Sequence, residues 1–278
     1  MPLPCAPLSE LGVIAGNGVY PKLLLQEARR AGVKRLVLAA FEGETDAATA
    51  DLADEVEWMR VGQLGRLIRC FASRSIAHAI MAGQIAPGNL FNLRPDMKAL
   101  VVLARLRQRN AESIFNAIGE ELARAGVELL AATTYMDPYL AGAGSIAGPR
   151  LSRREREDVE YGFGIAKEVS RLDIGQTVVV KKGTVLAVEG FDGTNATILR
   201  GGELGRGEAV MVKVSKPRQD LRFDVPVIGP VTLETAARAR LRVIAVEAGL
   251  TLVLDREEVA RLAAREKIAI VGVGPEAP

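Results

Sequence analysis

The chain has 278 residues, a length that predicts one large domain or two of medium size. Its 49% hydrophobic and 25% charged residues are typical of a globular protein with a full hydrophobic core. The formal net charge of +2 and the 4% aromatic content give no support for a basic surface or for base-stacking platforms. We therefore expect no nucleic-acid partner.

The cysteines and the one histidine also limit the chemistry. Cys5, Cys70 and His78 cannot form a zinc site of the Cys/His type or a disulfide framework. The start of the chain lacks a secretory signal, and no apolar run approaches the roughly 18 residues that span a bilayer. These features favour a cytoplasmic protein and leave contact with a membrane surface open. We expect His78, at the edge of a buried strand, to be structural, so that carboxylates, lysines or a metal supply any acid–base chemistry.

The first half of the chain alternates apolar strands with helices, which predicts a parallel sheet covered on both faces. Its first strand ends in Gly16-Asn17-Gly18, and the next helix starts near Pro21. This unit could bind a phosphate through free backbone N–H groups, or it could be a plain tight turn. Pro21 replaces the third glycine of a dinucleotide motif, so a dinucleotide is not indicated. We place ligands at the carboxyl ends of the strands, where Asn17, Gln84 and Thr133 lie.

Composition changes in the glycine-rich stretch 141–149, which is poorly suited to regular structure. We therefore predict a domain at residues 1–137, a linker at 138–151 and a second domain at 152–278. The second domain opens with a charged helix from Ser152 to Arg171 and continues with strands that pair as a hairpin around Lys182-Gly183. Its mixture of hairpins and helices predicts an α+β domain.

One segment between prolines, Pro217 to Pro230, concentrates charge. Asp220, Arg222 and Asp224 stand at alternate positions, so an extended chain would place all three on one face, about 7 Å apart. Such a row suits a divalent cation next to a phosphate oxygen. The alternative is a polar surface loop whose charges pair with one another.

Other polar residues of the second half also lie at strand ends or turns. Acids can hold Mg²⁺, lysines and Arg222 can neutralise phosphate oxygens, and a threonine can hydrogen-bond to them. Any one of these residues alone is more often a solvated surface group. The set comprises Gln176, Lys181, Glu189, Asp192, Thr194, Lys213, Gln219, Asp220, Arg222 and Asp224.

Five segments together resemble the UDP-2,3-diacylglucosamine pyrophosphatase family of the lipid A pathway, which is unrelated to the calcineurin-like phosphoesterases. They are residues 12–18 with Pro21, 81–84, 172–180, 188–194 and 216–229, and the Gln-Asp-x-Arg-x-Asp-x-Pro motif at 219–226 is the most specific. The resemblance implies a Rossmann-like N-terminal domain, a C-terminal fold particular to the family, and a homodimer in a Gram-negative bacterium. It also implies Mg²⁺-dependent hydrolysis of UDP-2,3-diacylglucosamine to UMP and 2,3-diacylglucosamine 1-phosphate (lipid X), with peripheral contact with the cytoplasmic face of the inner membrane.

The resemblance places the essential aspartate of the family at Asp220 or Asp224 and leaves open which of the two it is. With the charge pattern, it suggests Asp220, Asp224 and Arg222 as catalytic residues and Asp220, Asp224 and Asp192 as metal ligands. The residues expected to bind substrate are Gly16, Asn17, Gly18, Gln84, Lys181, Thr194, Lys213 and Gln219. Two places depart from the family pattern, because Asn195 and Asn110-Ala111 stand where acids are common. If those acids bind metal or substrate, metal affinity or acyl-chain preference differs here.

Two other functions compete with hydrolysis. A non-catalytic carrier or sensor of a nucleotide or acyl-sugar could use the same glycine turn, but paired aspartates would repel a diphosphate without a metal. An NAD-linked oxidoreductase is weakly supported, since Phe41-Glu42-Gly43 holds the one candidate acid for a ribose.

Overall fold

The computed structural model describes residues 8–85, 95–107, 111–217 and 219–274, without the side chains of 111 and 112. The chain divides into two units. The N-terminal unit runs to Met136 and includes the short segment Leu221–Phe223, and the C-terminal unit comprises Asp137–Asp220 and the chain from Asp224 onward. Within the described ranges, every helix is too short or too polar to cross a bilayer.

The N-terminal unit contains a five-stranded parallel sheet with the order β3-β2-β1-β4-β5, which confirms the Rossmann-like prediction. Its strands are β1 Glu10–Ala15, β2 Arg35–Phe41, β3 Glu55–Met59, β4 His78–Ala82 and β5 Glu128–Leu129. Its helices are α1 Tyr20–Arg30, α2 Ala47–Ala50, α3 Leu64–Ala72, α4 Met97–Arg105 and α5 Ala111–Arg124.

The central strands of this sheet are buried because both of their faces are covered. In β1, every residue from Leu11 to Ala15 is buried, as expected for a parallel strand with neighbours on both sides. The predicted strand at 127–133 is mostly wrong, since β5 has two residues and Thr133 lies in a turn in which Thr134 N–H bonds to Ala131 O. Backbone hydrogen bonds of that turn replace sheet pairing.

The C-terminal unit contains a six-stranded mixed sheet with the order β6-β13-β11-β9-β7-β8, in which β9, β11 and β13 are parallel. Its strands are β6 Gly144–Ala147, β7 Thr177–Lys181, β8 Thr184–Val188, β9 Val210–Lys213, β11 Val243–Glu247 and β13 Ala269–Val273; β10 Val227–Ile228 and β12 Leu252–Val253 form a separate pair. Its helices are α6 Arg153–Arg171, α7 Gly193–Gly205, α8 Pro230–Arg238 and α9 Arg256–Glu266.

Helices cover both faces of this sheet. Apolar side chains of α6 pack on one face with alternate valines of β7 and β9, and α7, α8 and α9 pack on the other. Helix α6 begins where predicted, with a capping box between Ser152 and Glu155. The hairpin β7–β8 is confirmed, and both turn residues, Lys182 and Gly183, have positive φ.

The glycine-rich stretch 141–149 was expected to lack regular structure, and this is wrong for residues 144–147. Strand β6 pairs there with β13 in antiparallel fashion. Glycine makes the pairing possible, because a Cβ on Gly272 would lie 1.8 Å from the carbonyl oxygen of Gly142. The stretch is thus an edge strand of the C-terminal unit.

Candidate active site

The segment that carries Asp220, Arg222 and Asp224 is a turn and not the extended chain that we expected. The N–H of Asp224 bonds to the carbonyl oxygen of Asp220 at 3.1 Å, and residues 221–223 form the turn between them. Alternation of side chains along a strand therefore does not apply here. The two aspartates belong to the C-terminal unit, whereas Arg222 belongs to the N-terminal unit.

Within the N-terminal unit, Arg222 has defined contacts. Its Nη2 donates to Asn116 Oδ1 at 2.9 Å, and its guanidinium lies 5.4 Å from the ring centroid of Phe223. The Phe223 ring in turn stacks on Phe115 with 5.6 Å between centroids. The two phenylalanines and Asn116 hold this arginine in one orientation.

The C-terminal unit buries a lysine at the carboxyl end of β9. Lys213 is 6% exposed, and its Nζ donates to Thr194 Oγ1 at 2.8 Å. The Thr194 hydroxyl donates to Glu189 Oε1 at 2.7 Å, and the N–H of Gln176 donates to the other oxygen of Glu189. Thr194 lies in the first turn of α7 and Glu189 directly follows β8. The chain thus brings three elements together around one ammonium group.

Burial dominates the electrostatics of this lysine. Removal from water lowers the pKa of Lys213, and the carboxylates of Glu189 and Asp224 oppose the shift. An ammonium group in such a place is poorly hydrated. It therefore interacts strongly with any anionic oxygen that reaches it.

Asp224 lies between cationic groups but is partly removed from water. Burial raises the pKa of its carboxyl group, while the charges of Lys216 and Lys213 and the side-chain amide of Gln219 act in the opposite direction. Lys216 also pairs with Asp173. A carboxylate that is partly buried between cationic groups is a candidate for a functional residue, in contrast to one that forms a surface ion pair.

Gln219 is fixed by its side-chain oxygen. Its Oε1 accepts from Ser215 Oγ at 2.6 Å and from the N–H of Lys216 at 2.7 Å. Its Nε2 is buried and has no hydrogen-bond partner among the described residues.

A partly buried ion pair lies at the end of β11. Lys167 Nζ, from α6, contacts both carboxylate oxygens of Glu247 at 2.9 and 3.1 Å. The same Nζ donates to the carbonyl oxygen of Ser215, and Glu247 Oε2 accepts the N–H of Ser215 at 2.7 Å. The ion pair therefore fixes the two peptide groups that flank Ser215, just after β9.

Two of the predicted site residues lie in other surroundings. Lys181 Nζ donates to the carbonyl oxygens of Gly205 and Gly207, both at 2.8 Å, where it caps the end of α7. Asp192 forms an ion pair with Arg200 and accepts the N–H of Gly190, contacts that lower the pKa of its carboxyl group. Lys181 therefore binds the end of α7 instead of joining Lys213. Asp192 is neutralised by Arg200.

In the N-terminal unit, the predicted glycine turn and Gln84 lie side by side. Asn17 and Gln84 pair through both backbone N–H groups, and the Asn17 side chain donates to Glu44 Oε2 at 2.6 Å. A Cβ on Gly16 would lie 2.4 Å from the Gln84 carbonyl oxygen, so this position requires glycine. Gly18 has φ +90° and open space beside it, which gives the turn an exposed backbone next to α1.

The comparisons with known proteins agree with both units. A model of the LpxI N-terminal domain matches residues 10–139, and a model of the LpxI C-terminal domain matches residues 142–271. The UDP-2,3-diacylglucosamine pyrophosphatase LpxI of Caulobacter vibrioides is 31% identical over 284 residues, which cover 97% of this chain and 99% of that protein. The chain belongs to the LpxI family. The family resemblance found in the sequence is confirmed.

In this LpxI-family chain, sequence reasoning missed the polar groups that hold the site. Glu44, Lys167, Ser215 and Glu247 were not among the candidates. A signal was present for Glu247, because it ends the otherwise apolar strand Val243–Glu247 and is buried. A carboxylate at the carboxyl end of a buried strand indicates a partner of opposite charge.

The donor set of this LpxI-family chain bears on the expected metal. Among the residues that the structure describes, His, Cys, Asp and Glu side chains form no group of three or more that could hold a metal ion. Mg²⁺ needs fewer protein ligands, since it commonly binds through one or two carboxylates plus phosphate oxygens and water. Asp220 and Asp224, joined by one turn, fit that requirement.

Proposed function

We propose that this chain hydrolyses the pyrophosphate bond of UDP-2,3-diacylglucosamine to UMP and lipid X, within lipid A biosynthesis. Water forms a bond to one phosphorus, the bridging P–O bond breaks, and each product keeps one phosphate. The observation that carries the proposal is the Asp220–Asp224 turn in the same unit as the buried Lys213, at the carboxyl end of the parallel strands. The relatedness to a pyrophosphatase of that name agrees with it.

Each residue has a role that follows from its charge. Asp220 and Asp224 orient the attacking water, and Asp224 is the better candidate for the essential carboxylate because of its burial and its position near two lysines. Lys213, held by Thr194, stabilises negative charge that develops on phosphate oxygens. Arg222 and Gln219 remain candidates for contacts with the pyrophosphate.

We also propose that the reaction depends on Mg²⁺. Asp220 and Asp224 would hold the ion, and when bound it neutralises charge on the pyrophosphate oxygens. The ion pair of Asp192 with Arg200 supports leaving Asp192 outside this set. The glycine turn with Asn17 and Gln84 would take the nucleotide end of the substrate through backbone N–H groups.

Contact with the membrane is the third part of the proposal, because the substrate carries two acyl chains. Three apolar side chains of the C-terminal unit are exposed on two touching loops: Leu172, Ile174 and the fully exposed Phe191. A Cβ on Gly175 would lie 2.2 Å from the Glu189 carbonyl oxygen, which shows how closely the loops approach. We propose that these side chains insert into the bilayer interface at the cytoplasmic face of the inner membrane, and that the protein is a homodimer.

The test measures UMP release from UDP-2,3-diacylglucosamine with Mg²⁺ and with EDTA. Wild type, Asp220→Ala, Asp224→Ala and the control Asp51→Ala, which alters an exposed residue of the N-terminal unit, are compared. We expect metal-dependent release that Asp224→Ala reduces about a thousandfold or more and Asp51→Ala leaves intact. If folded wild type binds the nucleotide lipid without turnover, the carrier function replaces hydrolysis.

A further inference from the structure

The chain between β9 and the Asp220–Asp224 turn is held by groups that do not themselves reach Asp224. Lys167 and Glu247 form an ion pair whose Glu247 side chain is 9% exposed and whose lysine side chain is 30% exposed. Both partners also bind Ser215: the lysine binds its carbonyl oxygen, and the carboxylate binds its N–H. The pair therefore fixes the peptide groups on either side of Ser215.

The Ser215 side chain connects this fixed backbone to Gln219. Its hydroxyl donates to Gln219 Oε1 at 2.6 Å, and the N–H of Lys216 donates to the same oxygen at 2.7 Å. Two donors on Oε1 decide which way the amide is oriented, since oxygen accepts and nitrogen cannot. The Nε2 of Gln219 is thereby directed away from Ser215.

Gln219 directly precedes Asp220, whose carbonyl oxygen accepts the N–H of Asp224 at 3.1 Å. A series of hydrogen bonds thus runs from α6 and the end of β11, through Ser215, to Gln219, and the backbone continues from there into the turn that carries Asp224. In order, the series is Lys167, Glu247, Ser215, Gln219, Asp220 and Asp224.

We propose that Lys167, Glu247 and Ser215 are positioning residues that act through Gln219 on the Asp220–Asp224 turn and so place the Asp224 carboxylate. This inference rests on the proposed function, because Asp224 must be the essential carboxylate for its orientation to matter. A partly buried ion pair contributes little net stability, so its main effect here is the orientation that it imposes on Ser215. Placement of a reacting group matters because a displacement of about 1 Å can cost about a hundredfold in rate.

The experiment uses the full chain and measures kcat and KM for UDP-2,3-diacylglucosamine together with the melting temperature. Ser215→Ala removes one hydroxyl group and should lower kcat about tenfold to a hundredfold with KM nearly unchanged. Ser73→Ala is the control, since it also removes one hydroxyl group, which donates to the Arg69 carbonyl oxygen at 2.6 Å in the N-terminal unit. The control should keep wild-type kcat.

A double-mutant cycle distinguishes positioning from a general structural effect. If Ser215 acts through Gln219, adding Ser215→Ala to Gln219→Ala should change kcat by less than about twofold. Independent effects would instead multiply. Full multiplication of the two effects would overturn the proposed path.

The ion pair is tested by Lys167→Met combined with Glu247→Gln, which removes both charges and leaves an amide oxygen for the Ser215 N–H. We expect a folded protein with kcat lowered about tenfold. If the wild type is active and both this double variant and Ser215→Ala keep its kcat, the positioning role is overturned and the proposed hydrolysis stands. A wild type without turnover would overturn the proposed hydrolysis and this inference with it.

Discussion

The two sheets end in different kinds of polar edge, although both carry polar groups at the carboxyl ends of parallel strands. In the N-terminal unit the edge consists of glycines and a backbone bridge between Asn17 and Gln84, and the one described buried acid beside it, Glu44, binds Asn17. In the C-terminal unit the edge buries Lys213 and Glu247. Backbone N–H groups suit recognition of a ligand, whereas buried charges suit stabilisation of a reaction. The difference suggests that binding and chemistry are divided between the units.

In the comparison of the two edges, the largest effect should follow from removing the buried charge of the C-terminal edge. Lys213→Met should lower kcat about a hundredfold to a thousandfold, because a poorly hydrated ammonium group stabilises developing negative charge. The measurement is steady-state release of UMP. Lys98→Met serves as the matched control, since Lys98 pairs with buried Glu121 in the N-terminal unit and Arg124 remains as a second cation there. Equal losses in the two variants would contradict the division between the units.

A smaller effect, on binding, should follow from disturbing the N-terminal edge. In Gly16→Ala the new Cβ would meet the backbone of Gln84 and break its bridge with Asn17. We expect KM to rise about tenfold with kcat nearly unchanged, as for loss of uniform binding. Gly142→Ala is the control, because a Cβ there has open space. A fall in kcat without a change in KM would show that this edge takes part in the chemistry.

Two carboxylates, Glu55 of the N-terminal unit and Asp224 of the C-terminal unit, have pKa shifts of opposite direction. Hydrogen bonds from Arg35 and Arg74 lower the pKa of Glu55, whereas burial raises that of Asp224. A lowered folded-state pKa gives stability that is present above the unfolded pKa, about 4.5, and is lost as pH falls through the folded pKa.

Glu55→Gln should therefore lower the melting temperature at pH 7, by no more than about two degrees because water screens these exposed ion pairs. The difference in melting temperature between wild type and Glu55→Gln should become smaller as the pH falls below about 4.5. Melting curves of both proteins from pH 7 to pH 3 provide the measurement. A gap that stays constant with pH would mean that packing, and not charge, explains the effect.

Local patterns predicted most of the fold. Apolar runs located the main strands, Ser152 with Glu155 located the start of α6, and Lys182-Gly183 located the hairpin. Beta-strand β6 was missed because its pairing depends on close approach at Gly272, a residue about 130 positions along the chain. Pairing partners that are distant in sequence leave no local signal.

The site was predictable in its residue types and less so in its geometry. Thr194, Lys213, Gln219 and Asp224 were candidates, and the structure places them in one unit. The alternate spacing of Asp220, Arg222 and Asp224 indicated an extended chain, but one backbone hydrogen bond makes it a turn. The ion pair of Lys167 with Glu247 was missed, because its partners are 80 residues apart and neither belongs to a motif.

The smallest effect tests whether scaffold stability and chemistry are separate within the C-terminal unit. Gly164→Ala in α6 adds a Cβ in open space and should raise stability by about 0.5–1 kcal/mol, because glycine in a helix loses more conformational freedom on folding than alanine. Gly162→Ala, two residues earlier, should have the opposite sign, since its Cβ would lie 2.7 Å from Val212. Denaturant unfolding gives both values. We expect Gly164→Ala to keep wild-type kcat, because the positions of Lys167 and Glu247 decide the orientation of the site and helix stability alone does not; a change in kcat would join the two properties.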